Sequence, residues 1–133
     1  MKFNHIGIFI SNIKTGEDFF KKIIKIKKRS RIFFDIKLGV KVKFLYDDSG
    51  ICYEIVAPYG KNNPLNKVLK KKTNILNHVA YETKNLKKTI NHLRKINCAP
   101  ISRPQPAKAF NNREVIFFLT PLNFIIEIIQ KMT

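Results

Sequence analysis

The chain repeats itself. FNHIGIF at residues 3–9 and LNHVAYE at residues 76–82 each set Asn-His at the head of an apolar run, and His78 follows His5 by 73 residues. The same offset carries Asn4 onto Asn77, Asn12 onto Asn85, Lys14 onto Lys87, Lys22 onto Lys95 and Ile23 onto Ile96. Without a gap it also places Phe44 on Phe117 and ICYEIV (51–56) on FIIEII (124–129), so that Glu54 falls on Glu127. In both halves the Glu follows the His by 49 residues. A register kept this long means two fused copies of one supersecondary unit.

Each copy reads the same way. An apolar strand (3–10, then 76–83) runs to an Asn suited to cap a helix. In the first helix Phe20, Ile23, Ile24 and Ile26 fall near one side, and Glu17 and Asp18 sit early, where the helix dipole favours them. The second places Leu86, Ile90, Leu93 and Ile96 at helical spacing. Three shorter strands follow, near 31–36, 40–47 and 51–57 in one copy and 99–103, 113–120 and 123–130 in the other. Turn residues, Asp47–Gly50 and Thr120–Asn123, separate the last two strands of each copy. The plan is βαβββ, twice, in one α+β domain over 1–133. Module one covers 1–57 and module two 75–133. The linker, 58–74, opens on Pro-Tyr-Gly and includes a Lys-rich, helical segment ending near Lys72.

A chain of 133 residues with 44% hydrophobic content, including 11 Phe, can bury a core of its own. The N-terminus lacks the pattern of a signal peptide, and no apolar run is long enough to span a bilayer, so a cytoplasmic protein is expected. Cys52 and Cys98 have neither metal-type spacing nor the look of a disulfide framework. The charge of +17 favours an anionic partner, but Lys, Ile, Asn and Phe together also fit drift in an A/T-rich coding sequence. The densest basic run, Lys25–Arg31, reads as a solvated helix end or a phosphate-binding patch. Nucleic acid is not the expected partner, because no helix-turn-helix, zinc-finger or RNA-binding aromatic signature accompanies the lysines.

Four polar residues stand where apolar ones belong. Glu127 is bracketed by Phe-Ile-Ile and Ile-Ile, and a carboxylate there must face solvent, pair with a cation or bind a metal. Strand alternation alone would put it on an outer face. Yet each Glu belongs to a last strand, each His to a first strand, and both pairs repeat at one offset. Two-fold packing of the copies would gather His5, Glu54, His78 and Glu127. Two imidazoles and two carboxylates suit a divalent ion such as Zn, Fe, Co, Ni or Mn. His92 has no repeat partner and reads as a surface residue.

Paired βαβββ modules with His, Glu, His and Glu on first and last strands resemble the vicinal oxygen chelate superfamily, which includes glyoxalase and methylmalonyl-CoA epimerase. The epimerase-like segments are FNHIGIFISNIKTGEDFF, GVKVKFL, YEIVAP, LNHVAYETKNLKKTINHL and VIFFLTPLNFIIEII. The resemblance implies a curved, partly open eight-stranded barrel around a divalent metal held by His5, Glu54, His78 and Glu127. It implies an isomerase, epimerase or lyase in which the metal polarises a substrate carbonyl and a carboxylate moves the proton of the adjacent carbon. A small molecule, an acyl-CoA thioester or oxo acid, is the implied substrate, and a homodimer the usual assembly. The sequence departs from the epimerases at one point: Lys37 stands where they carry an acidic residue, with Asp35 two residues away. Glu127 is then the candidate catalytic base, provided it leaves the metal during turnover. Arg103, Lys108 and Arg113, in a stretch that could form a loop over the pocket, are candidates to hold an anionic substrate group. The competing expectation is a binding module of the same fold that does no chemistry.

Overall fold

The computed structural model of the chain describes residues 1–60 and 76–132. The Lys-rich helix expected before Lys72 lies outside these residues. Two compact units emerge, one of His5–Asn77 and one of Met1–Asn4 with His78–Thr133.

The first unit contains β1 (Lys2–Phe9) from His5 onward, α1 (Ile13–Ile23), β2 (Ile26–Arg29), β3 (Phe33–Asp35), β4 (Val40–Asp47) and β5 (Cys52–Pro58). β4 pairs antiparallel with β5, and β5 lies parallel to β1 with Gly7 level with Glu54. β2 and β3 both pair with β4, on successive stretches of it. They are one edge strand broken after Ser30, whose N–H still bonds Phe44 O at 2.9 Å.

The second unit repeats this with β6 (Leu76–Thr83), α2 (Leu86–Lys95), β7 (Ala99–Pro100), β8 (Gln105–Ala107), β9 (Arg113–Leu119) and β10 (Ile125–Gln130). β10 lies parallel to β6, with Ala80 level with Glu127, and antiparallel to β9. β7 and β8 share β9 as β2 and β3 share β4, and Ile101 N–H bonds Phe117 O at 2.9 Å. The expected βαβββ plan stands in both units, its first edge strand interrupted in each.

Local chemistry repeats with the register. Asn12 caps α1 by accepting from Thr15 N at 3.0 Å, and Asn85 caps α2 by accepting from Lys88 N at 2.9 Å. Asp47 closes its turn by accepting from Ser49 N and Ile51 N, and Thr120 Oγ1 does so from Leu122 N and Phe124 N. Gly50 (φ 82°) and Asn123 (φ 66°) occupy the left-handed position each turn requires.

Each helix covers one face of its own sheet. Ile13 and Phe20 of α1 pack with Leu45, Ile55 and Ala57, while Leu86 and Leu93 of α2 pack with Ile116, Phe118, Ile126 and Ile128. Gly16 of α1 is buried against Ile10, and a Cβ there would collide with that side chain. Two expectations need correction. Ile26 is not on α1, which ends at Ile23, and the run Lys25–Arg31 is no helix end but mostly the edge strand β2. Pairing with β4 holds the run extended, and its exposed lysines and arginine discourage a further strand from adding there. Among the described residues no helix is long and apolar enough to cross a membrane.

Candidate metal centre

Parallel pairing brings each His beside its Glu. In the first unit His5 is wholly buried and Glu54 is 5% exposed; His5 Nε2 lies 3.6 Å from Glu54 Oε1. In the second, His78 Nε2 lies 2.9 Å from Glu127 Oε2, and Glu127 is 2% exposed. Alternation along the strand does turn Glu127 away from the helix, since its neighbours Ile126 and Ile128 enter the α2 core. The face it joins is nevertheless buried, so the solvent-facing reading of this residue fails.

An aromatic ring completes each pair. Phe44 stands opposite Glu54 and meets His5 edge-on at 5.9 Å, while Phe117 stands opposite Glu127 and meets His78 at 5.5 Å. Both phenylalanines are anchored by a serine hydroxyl outside regular structure. Phe44 N donates to Ser30 Oγ and Phe117 N to Ser102 Oγ, each at 2.9 Å. The sequence reading found the Phe match but gave it no role, and it missed the serines, whose offset is 72 rather than 73. A search tolerant of one-residue slips would have found them.

Beside Glu54 on the same face of β5 lies Cys52, level with Tyr46 of β4. Burial pushes the Cys52 thiol up to about 11, with the Glu54 charge adding to the effect and a hydrogen bond with Tyr46 opposing it. Burial likewise pushes Tyr46 up to about 12. Both stay protonated at neutral pH and can act only as neutral hydrogen-bonding groups.

Other candidates are placed less centrally. Asp35 is buried but accepts from Leu38 N at 3.1 Å, closing the turn before β4. Its level on β4 is Val40, four residues along from Phe44 and thus roughly 13 Å from the level of Glu54. Lys37 is exposed in the same turn. The stretch from Ser102 to Arg113 is only partly loop, because β8 pairs on β9 and Lys108–Phe110 forms a 3₁₀ turn. Arg113 donates to Phe110 O and Gln130 O and lies 3.6 Å from Glu82, which also accepts from Asn4. Arg103 is exposed beside a cleft of about 520 Å³ that Ile90, Arg94 and Ser102 also line. His92 is exposed on α2, as expected.

With these pairs in view, comparison with known proteins is informative. The profile of the glyoxalase/bleomycin resistance protein/dioxygenase superfamily matches residues 4–117. The chain belongs to this superfamily. Solved structures share the fold across the whole length. A hypothetical protein from Bacillus halodurans C-125 is 22% identical with a TM-score of 0.79, over 99% of this chain and 95% of that one. Methylmalonyl-CoA epimerase from Mycobacterium tuberculosis is 15% identical with a TM-score of 0.80, over 99% and 89%. A single-residue variant of Streptomyces coelicolor methylmalonyl-CoA epimerase, in complex with 2-nitronate-propionyl-CoA, is 14% identical with a TM-score of 0.75, over 100% and 99%. At these identities the likeness is one of fold. No curated protein sequence matches the chain.

Proposed function

We propose that this superfamily member is a divalent-metal-dependent isomerase, epimerase or lyase acting on the carbon beside a carbonyl, with an acyl-CoA thioester or oxo acid as substrate class. One observation carries the reading: each module buries a His–Glu pair at the same register, backed by the same aromatic ring. The donors fit a metal. His5, Glu54, His78 and Glu127 are all buried, each offers one nitrogen or oxygen ligand atom, and the mixed set suits Zn, Fe, Co, Ni or Mn. Burying Glu54 and Glu127 is costly to a fold that has no use for a cation there.

A divalent ion held by these four residues would supply Lewis acidity to a substrate carbonyl oxygen. In this reading Glu127, provided it leaves the metal during turnover, accepts the proton from the adjacent carbon through Oε and returns it to the same face, or a second donor delivers a different proton to the opposite face. Phe44 and Phe117 keep water from the imidazoles and fix their ring planes. Arg103, Lys108 and Arg113 hold the anionic end of the substrate, Arg113 through the guanidinium N–H groups left over from its bonds to Phe110 O and Gln130 O and its pairing with Glu82. The epimerases among the structural neighbours support this substrate class.

The turn-capping position of Asp35 favours a second reading, a metal-containing binding module, since it gives Glu54 no acidic neighbour along β4. Solvent deuterium exchange separates the two. Metal-loaded protein incubated in heavy water with methylmalonyl-CoA, then with a panel of acyl-CoA and oxo-acid compounds, should label the carbon beside the carbonyl, and Glu127→Gln should abolish labelling. Metal binding without exchange on any compound would leave the binding module.

A further inference from the structure

We propose that the outer face of α2, together with Lys2, Lys84 and Lys131 beside its N-terminal end, docks the phosphate backbone of a nucleic-acid duplex, without reading its sequence. Between Glu82 and Glu114 every charged residue of the chain is basic. On α2 the exposed positions are Lys87, Lys88, Asn91, His92, Arg94 and Lys95, and among the described residues none of these cations forms an ion pair.

The duplication supplies its own control. α1 keeps cations at the matching positions, Lys14, Lys21 and Lys22, but balances them. Lys14 lies 2.8 Å from Asp18, and Lys21 lies 3.7 Å from Glu17 and 3.8 Å from Asp18. In α2 the residues at the Glu17 and Asp18 positions are Ile90 and Asn91. Compositional drift toward lysine would load both helices alike. Here the cations persist in both copies and the acids are gone from one, which concentrates positive potential on a single face.

That face is also grooved. A cleft of about 460 Å³ is lined by Lys2, Lys84, Lys88 and Lys131 together with the hydrogen-bonding Thr83 and Asn85. A second, of about 450 Å³, shares Asn85 and Lys88 and continues along the helix to Lys95. Glu82, the one acid lining either cleft, is engaged by Asn4 and Arg113. Lysines interspersed with Thr and Asn are the usual partners of phosphate oxygens, and no Phe, Tyr or Trp lines either cleft as a platform for a base; His92 is the one ring there. A helix of this length rises about 15 Å, which spans about nine duplex phosphates at one charge per roughly 1.7 Å. A membrane surface suits the face less well, because an interfacial helix needs an exposed apolar side and α2 spends Leu86 and Leu93 in the core.

The test uses the full chain and a labelled 20-base-pair DNA duplex of arbitrary sequence, followed by fluorescence anisotropy across a salt series. The expected log–log salt slope is about −4 or steeper, as for at least four or five phosphate contacts. Lys84→Glu/Lys88→Glu/Lys131→Glu should weaken binding by at least about ten-fold, and Lys22→Glu/Lys25→Glu/Lys27→Glu on the other module by no more than about two-fold. In the wild-type chain, duplex should protect Lys84, Lys88 and Lys131 from acetylation and leave Lys22 and Lys25 reactive. Equal loss in both variants would reduce the effect to net charge and overturn the proposal. So would absent duplex binding at low salt, or tighter binding of the α2 face to phosphatidylserine vesicles than to duplex.

Discussion

His78 Nε2 and Glu127 Oε2 lie 2.9 Å apart on neighbouring parallel strands, and His5 and Glu54 repeat that relationship at 3.6 Å. Purified protein should therefore take up close to one divalent ion per chain after chelation and reloading with Co or Zn. His78→Ala and Glu127→Gln should each weaken that binding by more than about 100-fold, beyond the loss seen when a residue merely orients a ligand. Calorimetric titration gives the affinities. Metal at about 100 times Kd should also stabilise the wild-type fold by about 2.7 kcal/mol and leave the variants unmoved. Uptake that survives both substitutions would dismiss the four-ligand centre.

Ser30 and Ser102 hold the strands that carry the two phenylalanines. Replacing either with Ala removes the acceptor for a strand N–H, at about 1–2 kcal/mol. The two serines share no partner, so Ser30→Ala/Ser102→Ala should cost the sum of the single changes within about 0.5 kcal/mol. Urea unfolding of the three variants measures this. A cost confined to one serine would mean that the interrupted edge strand matters in only one module.

The caps offer a milder check. Asn12→Ala and Asn85→Ala should each cost about 1 kcal/mol, and the corresponding Gly substitutions only a few tenths. Thermal melts with both substitutions at each position separate a lost cap from a loosened backbone.

What could be read in advance was whatever depends on register. The offset of 73 residues identified both His–Glu pairs, both caps and both turns, because strand pairing and capping are set by sequence spacing. What escaped depends on tertiary pairing. The run Lys25–Arg31 carries no apolar alternation, so nothing local marks it as a strand; β4 imposes that structure from outside. Asp35 stands two residues from Lys37, the position that is acidic in the epimerases, a spacing that keeps the face of a strand. The β3–β4 register instead displaces it along the sheet and employs it in a turn. Burial of Glu127 was equally invisible, since period-2 alternation says which face a side chain joins but not whether that face is wet.

Glu17 of α1 ties the helix to its sheet through Lys43 of β4, with Lys21 and Arg29 nearby. Burial opposes its charge, but the Lys43 hydrogen bond and the charges of Lys43, Arg29 and Lys21 together outweigh that, so its pKa lies below the ordinary 4.5. A depressed carboxylate pKa contributes stability that is complete above the unfolded value and is lost as pH falls through the folded one. Glu17→Gln should therefore cost about 1 kcal/mol at neutral pH, a magnitude set by one charge-assisted contact at a partly screened site. The difference from wild type should shrink below pH 4.5 and be nearly gone once Glu17 is protonated in both states. Lys43→Met should show the same dependence, because it removes the partner rather than the carboxylate. Melts from neutral pH down to about pH 3 decide the matter. A gap that stays constant with pH would mean that α1 is held by its apolar side alone.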